Sequence, residues 1–269
     1  MGNTPEECPE CASDDIRVEE QPRGTVYTCR ACGWHKADYP FYAEPWILTL
    51  IQALGPIDIL QSLLTDDAIV DFIRPRLKGI SHVSSAQAAL PDDGFLEMEV
   101  KNANNVYLSQ MLVLAVTYAE LIIKDFYQCW FYVHPQRMNA FLAADRKGKA
   151  SVDLNRLLAA MSKEQLIDKL VEDATAQALG RRIDEIVDGF VKDSKLELKR
   201  PLVQDLGQLV RKRNRIVHEA DLGDITLKEV ESAFGQVQYL LYILTQVAAK
   251  NQISVPDEYG LLHYIQPVE

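Results

Sequence analysis

The chain has 269 residues, of which 48% are hydrophobic and 25% are charged, as is typical of a globular protein with one large or two unequal domains. Its formal net charge of −11 at pH 7 argues against a protein that coats nucleic acid indiscriminately, because such binding depends on many Lys and Arg side chains that neutralise phosphates. The N-terminus has neither a basic start nor an apolar run, so we predict no signal peptide and expect a cytoplasmic protein.

Four of the five cysteines form two C-x2-C pairs near the N-terminus, Cys8 with Cys11 and Cys29 with Cys32. Seventeen residues separate the pairs, and two pairs at this distance are typical of a four-cysteine zinc site. Because all four ligands would be cysteines, no position remains open for a substrate. We therefore expect a structural zinc and no catalytic metal.

The residues between the cysteine pairs predict the fold of this module. Segments 16–18 and 25–28 alternate like two short strands, so residues 1–40 are predicted to form a β zinc ribbon. So small a module has too little core to fold alone, and zinc could simply hold it together. Alternatively, its exposed face could contact a partner, and the many acidic residues of the ribbon favour a protein over a nucleic acid.

Residues 41–95 are predicted to be a helical linker region after a hinge rich in proline and aromatic residues. Its predicted elements are helices at 46–54, 57–64 and 66–78 and a loop at 79–94. The first two helices are expected to be separate because Gly55 and Pro56 lie between them.

The most apolar stretch of the chain is predicted to form a long helix, or a kinked pair of helices, over residues 105–133. It is apolar on nearly all sides but is interrupted by polar residues, so a core helix is favoured over a membrane span. Glu120 could pair with Lys124 or could hold Arg213 in place, and Asp125 is the second acidic candidate for that task. Cys129 is expected to be a small buried side chain.

Helix-start signals recur through the C-terminal half, including two capping boxes. The helices predicted there are at 154–161, 163–179, 181–192, 201–220 and 226–251, followed by a C-terminal tail at 252–269.

The helix that begins at Pro201 has an unusual apolar stripe. Its members are Leu202, Leu206, Leu209, Ile216 and Ala220. Between Leu209 and Ile216 the helical period requires one further apolar residue, and Arg213 occupies that position. An arginine that faces the interior is costly unless it has a partner or a task.

Three further polar residues share one face at the end of this helix. Asn214 and His218 lie four residues apart, and Arg211 precedes His218 by seven residues. Arginine binds phosphoryl oxygens with a planar fork, and histidine transfers protons near neutral pH. Together these side chains could attack or cleave an RNA backbone without a metal. The alternative is a basic helix end that complements the helix dipole, with His218 a surface residue.

The run from Arg213 to His218 reads R-N-R-I-V-H and resembles the R-N-x-x-x-H form of the R-x(4–6)-H signature of the HEPN superfamily. HEPN proteins are all-helical, and many are metal-independent ribonucleases of toxin, defence and RNA-processing systems. The resemblance covers about residues 100–250. The fold class expected is therefore mainly α, with a HEPN-like helical domain at 96–251 after the zinc ribbon. Arg211 and Arg213 both satisfy the spacing, so the motif arginine stays open.

The resemblance implies an endoribonuclease that cleaves RNA by attack of the 2′-hydroxyl and leaves 2′,3′-cyclic phosphates. His218 would be the proton-transfer group, Arg213 would stabilise the charge of the transition state, and Asn214 would orient His218 or the phosphate. Arg211 and Arg215 would attract the RNA backbone.

The resemblance also implies a homodimer, because HEPN nucleases usually build one cleft from two motifs. The partners expected are RNA and a second copy, with a protein on the zinc ribbon as a further candidate and no membrane. A defence or toxin-like setting is expected. The alternative is a non-catalytic HEPN-like dimerisation or interaction protein that uses the ribbon for docking. A weaker alternative is a zinc-ribbon regulator of transcription.

Overall fold

The computed structural model describes residues 5–21, 24–65, 92–142, 163–196, 201–220 and 222–265. In these ranges the chain forms a three-stranded sheet followed by seven α-helices, which confirms the predicted mainly α fold with a small β ribbon at its start. Contacts divide the chain into two compact units. The ribbon-bearing unit comprises Met1–Ile47, Ala119–Gly207 and Tyr239–Glu269, and the motif-bearing unit comprises Leu48–Tyr118 and Gln208–Gln238. The sequence-based boundaries after residues 40, 95 and 251 remain predictions.

The ribbon is an antiparallel sheet in which the second strand is central. Its strands are β1 (Ile16–Gln21), β2 (Gly24–Cys29) and β3 (His35–Asp38). Ile16 lies opposite Cys29 in the first pair of strands, and Thr28 lies opposite His35 in the second. The first two strands were predicted. The third was missed because four residues of sequence His-Lys-Ala-Asp show no clear alternation of apolar side chains.

Gly24 is required where β2 meets the end of β3. A Cβ atom at this position would lie 2.2 Å from the carbonyl oxygen of Asp38 and 2.8 Å from Cδ1 of Tyr39. We expect Gly24→Ala to lower the free energy of unfolding by about 1–3 kcal/mol, because the β2–β3 pairing must shift. Urea unfolding measures this when it is followed by the fluorescence of Trp34 in a protein whose other two tryptophans are replaced, Trp46→Phe and Trp130→Phe. Gly235→Ala is the control, since a Cβ there has open space around it, and equal stability losses in both variants would contradict the prediction.

The helices follow in chain order. They are α1 (Glu44–Thr65), α2 (Asp92–Val133), α3 (Asn139–Leu142), α4 (Lys163–Leu179), α5 (Ile183–Ser194), α6 (Pro201–Glu219) and α7 (Leu227–Lys250), with 3₁₀ helices at Pro135–Met138 and Leu261–Ile265. The predicted ends of α4 are confirmed, and α5, α6 and α7 agree with the predicted bounds within two residues.

Two predictions for the linker region are wrong. Gly55 and Pro56 do not break a helix, because α1 runs through both of them. A proline removes one backbone donor, and the other hydrogen bonds of the helix can persist around it. Residues 92–94 are helical rather than loop, because acidic residues such as Asp92 and Asp93 favour the first turn of a helix. The helices predicted at 66–78 and 154–161 lie outside the described residues.

Aromatic side chains form the core of the ribbon-bearing unit. Phe126 of α2 is fully buried, and its ring meets that of Phe41 edge to face at 5.4 Å and that of Phe190 at 4.9 Å. Cys129 is buried here as predicted, and its Sγ lies 3.4 Å from the Pro40 carbonyl oxygen. The α2 segment Lys101–Val133 is long and apolar enough to cross a membrane, but half of its most apolar window is buried inside the protein. The prediction of a core helix agrees with this burial.

The C-terminal tail contains an ordered segment in the same unit. The buried carboxylate of Glu44 accepts hydrogen bonds from the backbone N–H groups of Glu258, Tyr259 and Leu261 at 3.0, 2.8 and 3.4 Å. These bonds satisfy a buried charge, so the segment that looked irregular in sequence is attached to the start of α1.

In the motif-bearing unit, α2 and α7 supply most of the buried side chains. Leu108 and Leu112 of α2 and Val230 and Phe234 of α7 are almost fully buried. The ring of Tyr118 meets that of Phe234 edge to face at 6.4 Å. Helix α7 therefore contributes a buried face to the core of this unit.

Candidate functional site

Helix α6 carries the motif and is amphipathic up to its last turn. Leu206 and Leu209 are buried, and Ile216 is half-buried. The prediction that Ala220 continues this stripe is wrong, because α6 ends at Glu219 and Ala220 is exposed with a left-handed φ of 53°. The change of backbone direction turns the chain away from the helix axis. His218 thus lies in the final turn of the helix.

Arg213 occupies the position in the stripe that its spacing predicts. Its side chain is half-buried, and its Nη1 donates a hydrogen bond to Oδ1 of Asn214 at 3.0 Å. Because this bond engages Oδ1, the Nδ2 group is the part of the Asn214 side chain that can donate a hydrogen bond to another group. The first two residues of the motif therefore hold each other in a defined orientation.

The other polar residues of the motif face outward. Arg211, Asn214, Arg215 and His218 are all exposed. Arg211 and His218 are separated by about 20° around the helix axis, whereas Arg213 and His218 are separated by about 140°. The helix thus brings Arg211, Asn214 and His218 to one exposed face and points Arg213 toward its half-buried side. Both arginines remain candidates for the motif arginine.

Lys212 has a different task from the basic residues beside it. Its Nζ donates to Oε1 of Glu229 at 2.5 Å. Glu229 also closes the predicted capping box of α7: its Oε2 accepts from the N–H of Thr226 at 2.8 Å, and its own N–H donates to the Thr226 hydroxyl at 3.3 Å. One carboxylate thus joins the motif helix to the start of α7. The capping box was visible in the sequence, but its link to Lys212 was not.

The link between Lys212 and Glu229 predicts a pH dependence of stability. The hydrogen bond from Lys212, followed by that from the Thr226 N–H, lowers the pKa of Glu229. Because this pKa is lower in the folded than in the unfolded protein, the stabilisation is present above the ordinary pKa of the carboxyl group. It is lost as the pH falls through the folded-state pKa.

We expect Glu229→Gln, which can retain the cap, to cost less than about 1 kcal/mol near neutral pH because the ion pair is partly exposed. Glu229→Ala should cost roughly 1–2 kcal/mol, because the cap is lost as well. Thermal unfolding at several pH values tests this. A difference between wild type and Glu229→Gln that persisted unchanged at strongly acidic pH would contradict the assignment.

The loop after α6 is held by a buried hydroxyl that sequence reasoning missed. Ser109 of α2 is fully buried, and its Oγ donates to the carbonyl oxygen of Leu222 at 3.1 Å. A polar residue within an apolar helix was the signal that could have drawn attention to it.

Two apolar side chains near the motif are exposed: 51% of Val217 and 38% of Leu222 are accessible to solvent.

The acidic partner predicted for Arg213 is not decided by the described contacts. Glu120 is a half-buried residue of α2 and belongs to the ribbon-bearing unit, so its orienting role stays a prediction. Asp125, the second candidate, accepts a hydrogen bond from Nε1 of Trp46 at 3.3 Å. This contact gives Asp125 a structural task at the start of α1.

The four ribbon cysteines converge on one point. The Sγ atoms of Cys8, Cys11, Cys29 and Cys32 all lie within 4.8 Å of one another, and the pairs Cys8–Cys32 and Cys11–Cys29 are each 3.6 Å apart. Four sulfurs at about 2.3 Å from a zinc ion form a tetrahedron with edges of about 3.8 Å. The cluster therefore has the size and the donor set of a structural zinc site.

The thiols of this cluster influence one another. The backbone N–H of Cys32 lowers the pKa of the Cys29 thiol to about 7. The N–H of Trp34 lowers the pKa of Cys32, but the neighbouring thiols, led by Cys11, together with burial outweigh it and raise that pKa to about 12. Four close thiols resist complete deprotonation unless a cation balances their charge, which a divalent metal ion would do.

A model of the family described as RiboL-PSP-HEPN matches residues 74–249, about two thirds of the chain. The matched range runs from before α2 into the last turns of α7, so it contains the R-N-x-x-x-H motif and leaves out the ribbon. No curated protein and no solved structure gives a significant match. The resemblance that the motif indicated is thereby confirmed. The chain belongs to the RiboL-PSP-HEPN family.

Proposed function

We propose that this protein is a metal-independent endoribonuclease whose proton-transfer group is His218. The observation that carries the proposal is the exposed cluster of Arg211, Asn214 and His218 on the last turns of α6, within a chain of the HEPN family. An exposed imidazole beside guanidinium groups can both bind a phosphodiester and move a proton near neutral pH.

The proposed reaction is an internal transesterification. The 2′-oxygen of one nucleotide forms a bond to the adjacent phosphorus while the bond from phosphorus to the 5′-oxygen breaks. His218 accepts the proton of the attacking hydroxyl or supplies one to the leaving oxygen. The products are a 2′,3′-cyclic phosphate and a 5′-hydroxyl. No redox step and no catalytic metal enters this scheme.

The remaining motif residues assist the same reaction. Arg213 stabilises the negative charge that develops on the phosphate oxygens. Asn214, whose Oδ1 is engaged by Arg213, directs its Nδ2 group toward the phosphate or toward His218. Arg211 and Arg215 are exposed and attract the RNA backbone in a chain that is otherwise acidic.

A homodimer would complete the cleft. Arg213 and His218 diverge by about 140° along one helix, so one subunit alone places them on different sides. The exposed side chain of Val217 lies beside His218 in sequence, and Leu222 follows in the loop, which supports burial of this end of α6 against a second copy. We place the reaction in the cytoplasm, in a defence or toxin-like setting. Sedimentation equilibrium tests the dimer.

The second candidate function is that of an interaction protein that docks through its ribbon. The charges of the ribbon favour this reading, because Arg17 pairs with Glu19 at 2.6 Å and Arg30 pairs with Asp15 at 3.7 Å. Arginines that are neutralised in this way contribute little to phosphate binding. The ribbon therefore supports contact with a protein more than contact with RNA.

Purified wild-type and His218→Ala protein should be incubated with mixed cellular RNA in EDTA, in an assay kept short, and the metal content of the protein should be measured before and after it. We expect cleavage by the wild type, cyclic-phosphate ends on the products and intact RNA with the variant. Expression in a bacterial host should arrest growth only for the wild type. RNA that stays intact together with normal growth would reject the nuclease and favour the interaction protein.

A further inference from the structure

The ribbon-bearing unit contains two neighbouring cavities that the proposed reaction does not use. The first has a volume of 370 Å³ and lies between the ribbon sheet, the end of α2 and the start of α4. The second has a volume of 400 Å³ and lies between α2 and α4. Tyr132 and Asp168 line both cavities, so the two adjoin and form one groove. We call it the acidic groove.

The acidic groove has the length of a short extended peptide. One wall is a single face of the sheet, because its residues alternate along each strand: Glu19 and Gln21 on β1, Val26 and Thr28 on β2, and Ala37 on β3. Helix α4 lines the groove from Asp168 to Leu179, which is about 16 Å along the helix axis. At about 3.3 Å per residue, this part alone has room for about five residues of an extended chain.

The walls of the groove are accessible to a ligand. Asp168 and Glu172 are exposed, and Tyr132 and Gln128 are half-buried. Aliphatic side chains lie between these polar groups, among them the half-buried Ile167. Such a surface suits side chains that have an apolar stem and a polar end, as lysine and arginine do.

Two carboxylates on α4 face the groove without a cationic partner. Asp168 and Glu172 lie four residues apart and therefore on one face of the helix. The Tyr132 hydroxyl donates to Oδ1 of Asp168 at 2.7 Å, which orients this carboxylate and leaves its Oδ2 for another donor. Glu172 makes no ion pair with any residue that the structure describes. Like charges at this spacing destabilise a helix, and a bound cation would remove their repulsion.

The charge balance of the groove and of its surroundings is negative. Lys124 is the one basic residue among the described lining residues, against Glu19, Asp168 and Glu172. Glu19 already pairs with Arg17 at 2.6 Å, so the excess of negative charge lies on the α4 side. Residues 1–40, which include the sheet wall, contain eight carboxylates and four lysines or arginines. A field of this sign attracts a cationic partner toward the groove.

We propose that the acidic groove binds an extended segment of a partner protein through lysine or arginine side chains of that segment. Their cationic ends pair with Asp168 and Glu172, and their stems pack on the aliphatic wall. The proposal rests on the second candidate function, docking through the ribbon, and names the chemistry of the docked partner. The groove contains no residue of the R-N-x-x-x-H motif, so it does not depend on His218.

The test selects peptides on the full-length, zinc-loaded protein from a phage-displayed library of random heptapeptides. Enriched peptides are synthesised, and their affinities are measured by fluorescence anisotropy without RNA. We expect them to contain more lysine and arginine than the library. Asp168→Asn combined with Glu172→Gln should weaken their binding about 10-fold, because two charge pairs are lost. Glu20→Gln combined with Asp188→Asn is the matched control, since it removes two exposed carboxylates of the same unit that do not line the groove.

Equal affinities of the two double variants, or selected peptides without an excess of basic residues, would overturn the proposal. Tighter binding after Arg146→Gln, Lys147→Gln and Lys149→Gln would show that a basic run of the chain itself competes for the groove, which also overturns it. Peptides that lose binding to Cys29→Ser but bind the groove variant unchanged would keep the docking function and reject the groove. No RNA enters these measurements, so failure of the groove is distinguishable from failure of the nuclease.

Discussion

His218→Ala should lower the rate of RNA cleavage by about 10²–10⁴-fold, the range typical for loss of a positioned acid or base. His218 is exposed in the last turn of α6, so its removal creates no cavity and should leave the fold unchanged. Single-turnover cleavage of a labelled oligoribonucleotide gives the rate, and circular dichroism gives the fold. An unchanged rate would reject His218 as the catalytic group.

The matched control is His263→Ala. His263 is also exposed, but it lies in the C-terminal 3₁₀ helix, where its ring is tilted by 37° against that of Tyr264. Its replacement should leave cleavage unchanged. If both histidine variants lose activity equally, the loss reflects stability or a general charge effect and not proton transfer at the motif.

A comparison of Arg211→Ala with Arg213→Ala identifies the motif arginine. Loss of the arginine that stabilises the transition state should lower the cleavage rate by about 10²–10³-fold, as does removal of one donor to a developing charge in other enzymes. Replacement of an arginine that only attracts RNA should weaken RNA binding. This effect should be smaller at high salt, where phosphate contacts are screened. The contact of Arg213 with Asn214 predicts the catalytic effect at Arg213. The opposite result would assign the motif to Arg211.

Cys29→Ser should release the metal and unfold the ribbon, which is the largest structural effect we expect. Cys29 is fully buried, and its backbone belongs to the central strand β2, opposite Ile16. Structural zinc sites supply the folding free energy of such small modules. Zinc content should fall from about one ion per chain to none. In a protein that also carries Trp46→Phe and Trp130→Phe, the fluorescence of Trp34 should shift to that of an exposed indole.

Cys129→Ala is the control for this experiment. Cys129 is the one cysteine outside the cluster, so its variant should keep the full zinc content. Prolonged incubation of wild type with a strong chelator should reproduce the Cys29→Ser spectrum. A ribbon that keeps its sheet and its stability without metal would show that the four thiols are not a structural zinc site.

The features that the sequence predicted depend on residues that are close along the chain. The spacing of Cys8 and Cys11 defines one C-x2-C pair, and a matching pair follows 17 residues later. The capping box of Thr226 and Glu229 needs an interval of three. The α6 stripe and the exposed face of His218 follow from the helical period, and the family resemblance lies in six consecutive residues.

The family assignment and the four-sulfur cluster are therefore readable from sequence, whereas several contacts around the motif are not. Ser109 meets Leu222 across 113 residues, and Lys212 meets Glu229 across 17. No local period indicates such pairs, because they depend on which helices the folded core brings together.

Tertiary structure also determined the outcome at positions where local sequence rules gave the wrong prediction. Gly55 and Pro56 are helix breakers by propensity, yet α1 continues through them. Ile47, Leu50 and Ile57 are buried along α1, and burial of such a face can outweigh a local propensity of a few kcal/mol. The sequence by itself determined most of the elements, the four cysteines of the cluster and the motif. Only the folded core decided how α1 runs, how the motif helix is attached, and which helices and strands line the acidic groove, because those outcomes depend on contacts between distant residues.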